Sequence, residues 1–95
     1  MELNLEKYTE LAEMLKALAH PVRLCIVKGL IEEKECNVTH MQHCLNIPQS
    51  TISQHLQKLR SAGIIEGTRN GLEIKYRVCN DRVADLIDVL FKENS

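Results

Sequence analysis

Residues 49–58 carry the side chains best suited to chemistry with a partner: Gln49, Ser50, Thr51, Ser53, Gln54, His55 and Lys58. Ile52, Leu56 and Leu59 recur among them at i, i+4 and i+7, which marks one buried stripe of a helix. The other face gathers amides and hydroxyls and is almost uncharged at its N-terminal end. A merely solvated helix more often carries Glu and Lys there. Glutamine pairs in bidentate fashion with adenine, while Ser and Thr serve phosphates and thymine methyls. The pattern predicts a helix that reads a DNA major groove. Ile52 and Leu56 are packing residues. His55 either touches phosphate or closes helix packing, and contact is the preferred reading because the core stripe is already filled.

The four cysteines and four histidines are the other reactive side chains. Cys25 falls in the most apolar segment and is expected in the core. Cys36 falls in a charged loop and is expected to be exposed. Cys79 stands at the start of the last predicted helix, where free N–H groups favour a thiolate. It is the preferred thiol for a redox switch, with Cys36 or Cys25 as partner. The plainer reading is that all four are small hydrophobes or inert thiols. Cys36, His40, His43 and Cys44 are the metal-ligand types that lie close in sequence, with His40 and Cys44 sharing a helix face. Their spacing is looser than the usual zinc motifs, so neither a metal nor another cofactor is expected.

The elements that must position these groups follow from periodicity. Leu5, Tyr8, Leu11, Leu15 and Leu18 predict a helix over 5–19, capped by Asn4. His20-Pro21 interrupts the chain, and Pro21 suits the first turn of a second helix over 21–33. Residues 32–35 read as a solvated loop. Asn37 is placed to cap a short helix over 38–45 that turns Val38, Met41 and Leu45 inward. Asn46-Ile47-Pro48 is a turn, and the helix of 49–61 stops at Gly63. Two β-prone runs then flank Asn70-Gly71, a hairpin signal. Leu72, Ile74, Tyr76 and Val78 are expected inward, with Glu73, Lys75 and Arg77 outward. A last helix over 80–92 carries Val83, Leu86, Ile87, Leu90 and Phe91 on one stripe. The order is four helices, a hairpin and a helix: a mainly α winged helix–turn–helix. Arg69, Asn70 and Gly71 at the hairpin tip are placed to touch backbone or minor groove.

Ninety-five residues give a single domain over 1–95 with one modest core, which gains from dimerisation. The net charge of −1 looks wrong for DNA, but its distribution does not. Residues 49–78 hold Lys58, Arg60, Arg69, Lys75 and Arg77 against Glu66 and Glu73, and the acidic excess lies elsewhere. No apolar run is long enough to span a membrane, and Met1-Glu2-Leu3-Asn4 is no basic leader, so a cytoplasmic location is expected. No nucleophile–base arrangement, glycine-rich phosphate loop or paired carboxylates suggest an enzyme or a small-molecule substrate. A protein-interaction module without DNA binding is the alternative class, distinguished by the absence of a steep salt dependence.

Four segments together, covering nearly the whole chain, resemble the ArsR/SmtB family of bacterial repressors. They are Ala17-Leu18-Ala19-His20-Pro21-Val22-Arg23-Leu24, Gln49-Ser50-Thr51-Ile52-Ser53-Gln54-His55-Leu56, Leu59-Arg60-Ser61-Ala62-Gly63 and Tyr76-Arg77-Val78. The resemblance implies a homodimer paired through the first and last helices and bound to an inverted repeat in double-stranded operator DNA. The cysteine pair of metal-sensing members would fall on Asn37 and Thr39. The zinc site of the last helix would need ligands near Asn80, Arg82 and Glu93. Neither set suits a metal, and the chain is most similar to members that lack one, which makes a constitutive repressor an open alternative. A third scheme of the family, a two-cysteine switch, matches Cys25 and Cys79 by element though not by position.

Overall fold

The computed structural model describes residues 3–92. Helix α1 spans Leu5–Leu18, and Asn4 caps it by accepting from the Lys7 N–H at 3.2 Å. It stops before His20-Pro21, because the residue preceding a proline disfavours helical backbone. Helix α2, Pro21–Glu33, begins with that proline, and His20 Nδ1 accepts from the Val22 N–H at 3.1 Å. Lys34 then takes a φ of 74° and turns the chain back.

Strand β1 is the pair Cys36–Asn37, and helix α3 follows at Val38–Leu45. Asn37 Oδ1 caps α3 by accepting from the His40 N–H at 2.7 Å. Asn46 adopts left-handed backbone, and Pro48 leads into helix α4, Gln49–Ser61. Gly63, with φ of 74°, closes α4. Its N–H donates to the Arg60 carbonyl, and that of Ile64 donates to the Leu59 carbonyl, each at 3.0 Å. This is the paired-bond closure that a residue with positive φ makes possible.

Strands β2, Ile65–Asn70, and β3, Glu73–Val78, form the wing. β3 lies in the middle of the sheet, antiparallel to β2 on one side and to β1 on the other, with Cys36 opposite Tyr76. Helix α5, Asp81–Leu90, ends the described fold, capped by Asn80. Among the described residues no helix is long and apolar enough to cross a membrane.

The core is drawn from every layer: Val27 and Leu30 of α2, Ile52, Leu56 and Leu59 of α4, Ile64, Ile65 and Tyr76 around the wing, and Val83 and Ile87 of α5. Removing each such side chain from water contributes about 1.5–3 kcal/mol. The stripe Ile52, Leu56, Leu59 thus holds the polar face of α4 outward.

Several expectations are corrected. Residues 32–35 are not all loop: Glu32 and Glu33 finish α2, and the chain returns at once as β1. A two-residue bridge has no alternation to detect. The hairpin register places Asn70 opposite Glu73, so the turn is Gly71-Leu72 and not Asn70-Gly71. Gly71 has φ of 71° and Leu72 does not share it, as in a turn with glycine first. Leu72 therefore stands at the tip, fully exposed rather than inward. Cys25 is exposed, not core, because α2 turns Ile26, Val27 and Leu30 inward instead. The last helix is shorter than 80–92, since Asn80 is its cap and Phe91 its end. Leu90 and Phe91 on its stripe are exposed.

Candidate nucleic-acid interface

The polar face of α4 is built as the residue pattern requires. Gln49, Ser50, Ser53, Gln54, Gln57 and Lys58 are exposed, and Thr51 is half-buried. No side chain caps the start of α4, and its first turn carries no acidic residue. Its open N–H groups and dipole favour a phosphate at that end. Gln49 and Ser53 line a groove whose other wall is the wing, formed by Asn70, Leu72, Glu73 and Ile74. The recognition helix and the wing tip thus border one channel, and Arg69, Asn70 and Gly71 are all exposed on the wing.

Asn37 fixes that channel. While its Oδ1 caps α3, its Nδ2 donates to Glu73, the first residue of β3 after the wing turn. The first helix of the helix–turn–helix and the wing are thereby joined by one side chain.

His55 differs from its neighbours on α4. It is half-buried, its ring lies 4.5 Å from that of His20, and its Nδ1 accepts from Arg23 Nη1 at 3.2 Å. Arg23 is buried and also donates from Nε to the Ala17 carbonyl at 2.6 Å. Burial, then the charges of His20, Arg23 and Lys58, hold the His55 imidazole below its ordinary pKa. His55 therefore takes part in the packing of α4 on α2, leaving Nε2–H as the group that can face DNA. Sequence reading missed Arg23; its place in the first turn of α2, among Val22, Leu24 and Ile26, was the available signal.

Charge is arranged to suit a polyanion. Arg77 pairs with Glu66, and Lys75 lies 3.5 Å from Glu35. Among the described residues Lys58, Arg60 and Arg69 make no ion pair. They are exposed on α4 and the wing.

The cysteines are all free thiols. Cys79 is exposed, with Sγ 3.7 Å from the Gly63 carbonyl. The N–H groups expected to favour its thiolate are taken: Asn80 Oδ1 accepts from Arg82 and Val83 at 3.0 and 3.2 Å. Cys25, Cys36 and Cys44 instead surround one cavity that Cys79 does not line. Cys36 is half-buried rather than exposed, and burial, reinforced by Glu33, raises its thiol pKa. Of the metal-ligand types, Cys36, His40 and Cys44 come together at that cavity, with Glu33 in the place expected for His43. Glu33 was missed because only the reversal at Lys34 brings the end of α2 beside α3. At the last helix, Glu93 lies outside the described residues.

A helix–turn–helix whose second helix is polar outward and shares a channel with a β-wing defines a winged-helix DNA-binding protein. The comparisons agree. The helix-turn-helix domain family matches residues 18–68. The chain is 47% identical over 79 residues to the transcriptional repressor PagR of Bacillus anthracis, covering 83% of this chain and 79% of that protein. It is 41% identical over 75 residues to the repressor SmtB of Mycobacterium tuberculosis, covering 79% of this chain and 55% of that protein. The crystal structure of PagR superposes with a TM-score of 0.83 at 44% identity, over 90% of this chain and 97% of that one. The chain belongs to the ArsR/SmtB family of winged-helix repressors.

Proposed function

We propose that this DNA-binding repressor works as a homodimer in the cytoplasm, occupying an inverted repeat in a promoter by steric block and without catalysis. Two α4 helices enter successive major grooves about 34 Å apart, and the wings hold the flanking backbone. The observation that carries this reading is the exposed polar face of α4 beside the wing channel. Dimerisation is supported by the apolar side chains left open on the outer helices: Leu5, Tyr8 and Leu15 on α1, Val89 and Leu90 on α5, and Phe91 just beyond it. They lie on the elements outside the reading head, and such patches mark protein–protein contact. The symmetry of a dimer is what an inverted repeat requires.

Fluorescence anisotropy on the DNA upstream of the protein's own gene tests it. Reduced protein should bind with a steep salt dependence and a stoichiometry of two chains per repeat. Binding that ignores salt, or no binding, would favour an interaction module instead. Repeating the titration after polysulfide or mild peroxide tests control through Cys79, Cys36 or Cys25. Affinity that falls on treatment and recovers with dithiol supports such control, while equal affinity supports a constitutive repressor.

A further inference from the structure

The reading of DNA uses the face of α4 and the wing; it leaves unexplained a cluster of ligating side chains where α2, β1 and α3 meet. Glu33, Cys36 and His40 place their ligand atoms within 4.8 Å of one another. His40 Nε2 lies 3.1 Å from Glu33 Oε2 and 3.6 Å from Cys44 Sγ. A carboxylate and a thiol thus converge on one imidazole nitrogen, and the Cys36 thiol lies within the same small group as the carboxylate and imidazole. Three separate elements supply them: Glu33 ends α2, Cys36 begins β1, and His40 and Cys44 stand one turn apart on α3.

We propose that these four residues form a binding site for a borderline divalent cation of the zinc class. The distances fit that chemistry. With Zn–N and Zn–O near 2.0–2.1 Å and Zn–S near 2.3 Å, neighbouring ligands of a tetrahedron stand roughly 3.3 Å apart for an N–O pair, about 3.6 Å for N–S and about 3.8 Å for S–S. The His40–Glu33 separation of 3.1 Å and the His40–Cys44 separation of 3.6 Å already lie close to the first two of these edges. Two sulfurs and an imidazole exclude Mg²⁺ and Ca²⁺, which want oxygen, and the carboxylate suits Zn²⁺ better than Cu⁺. The four groups border a cavity of about 180 Å³ whose remaining wall is largely apolar, with Ile26, Leu30 and Met41 among its residues. That wall shields one side of the ion from water. The site does not use positions 37 and 39, where the family resemblance would put a cysteine pair. Asn37 is instead the cap of α3, and its role is structural. On binding, each thiol that ligates loses its proton to solvent and its sulfur lone pair goes to the ion.

The probe is Co²⁺, added to the reduced full-length protein without oxygen, followed by displacement with Zn²⁺. The expected spectrum shows intense tetrahedral ligand-field bands and thiolate-to-cobalt charge transfer that saturate at a single ion per chain. Cys36→Ser and His40→Gln should each weaken binding by at least about tenfold, as even outer partners of a metal site cost that much. Cys44→Ser, at an exposed position, should reduce the charge-transfer intensity without altering the fold. His43→Gln should leave the titration unchanged. Far-UV circular dichroism and melting of each variant without metal separate loss of ligation from loss of folding. A weak octahedral spectrum, no thiolate charge transfer, or a Cys36→Ser or Cys44→Ser variant that is folded and keeps the full signal would overturn the assignment. Operator binding is a separate readout, so failure here leaves the repressor reading intact.

Discussion

Arg23 donates from Nη1 to His55 Nδ1 across 3.2 Å, tying the buried side of α2 to the recognition helix. The same guanidinium closes α1 through the Ala17 carbonyl. Three helices therefore share one buried cation. Arg23→Ala should lower unfolding stability by about 1–3 kcal/mol, because it leaves a carbonyl and an imidazole nitrogen without a donor. Arg23→Lys should recover little, since an ammonium cannot reproduce the planar fork. Urea unfolding of the two variants measures this; full rescue by lysine would refute the geometric account.

The depressed His55 pKa fixes the sign of a pH effect. The unfolded state gains a proton on this imidazole near pH 6.5, while the folded state does so only at lower pH. Stability from this group is thus complete above about pH 6.5 and declines as pH falls toward the folded value. Unfolding curves between pH 8 and 5 should show that decline, and His55→Gln should flatten it. An identical profile in the variant would assign the effect to other groups.

Base contacts and phosphate contacts should separate by mutation. Gln54→Ala with Ser53→Ala should cost about 1–3 kcal/mol on the operator and much less on random DNA. Lys58→Ala or Arg69→Ala should weaken both about equally and reduce the salt slope by about one. Anisotropy at several salt concentrations distinguishes the two, and an unchanged operator affinity in the double variant would remove α4 as the reading element.

Asn37→Ala should do more than remove a cap. Loss of the α3 cap costs about 1 kcal/mol. Loss of the donor to Glu73 also frees the wing. Hydrogen exchange should rise in Glu73–Val78 as well as in the first turn of α3; a change confined to α3 would mean that the Glu73 contact contributes nothing.

Leu15 is half exposed on α1 although its spacing marks an apolar stripe. Leu15→Glu should give a folded monomer by sedimentation, with operator affinity greatly reduced. A variant that remains dimeric would move the interface away from α1.

Legibility in the sequence followed the strength of local signals. Caps at Asn4 and Asn37, the proline at 21 and the glycine at 63 act within a few residues, so the helices fell close to their observed bounds. The recognition face was legible because Ile52, Leu56 and Leu59 can only face inward. What escaped depends on the chain meeting itself. Cys36 pairs with Tyr76 across a wide separation in sequence, and no local pattern announces a two-residue strand. Leu72 was misplaced because Asn-Gly leaves the turn register open by one residue, and that shift exchanges inside for tip. The arrival of Glu33 beside His40 depends on a lysine with positive φ, which is uncommon outside glycine and asparagine.

The short strand β1 has one further consequence. Because β3 is bonded on both edges, the wing is stitched by its backbone to the segment that starts α3. A lone hairpin could swing as a lever; this one cannot without breaking a ladder. The distance from recognition helix to wing tip is set like the jaws of a fixed gauge. In the proposed dimer, a signal that releases the operator would therefore have to act on how two gauges are held relative to each other, and not on the opening of either one.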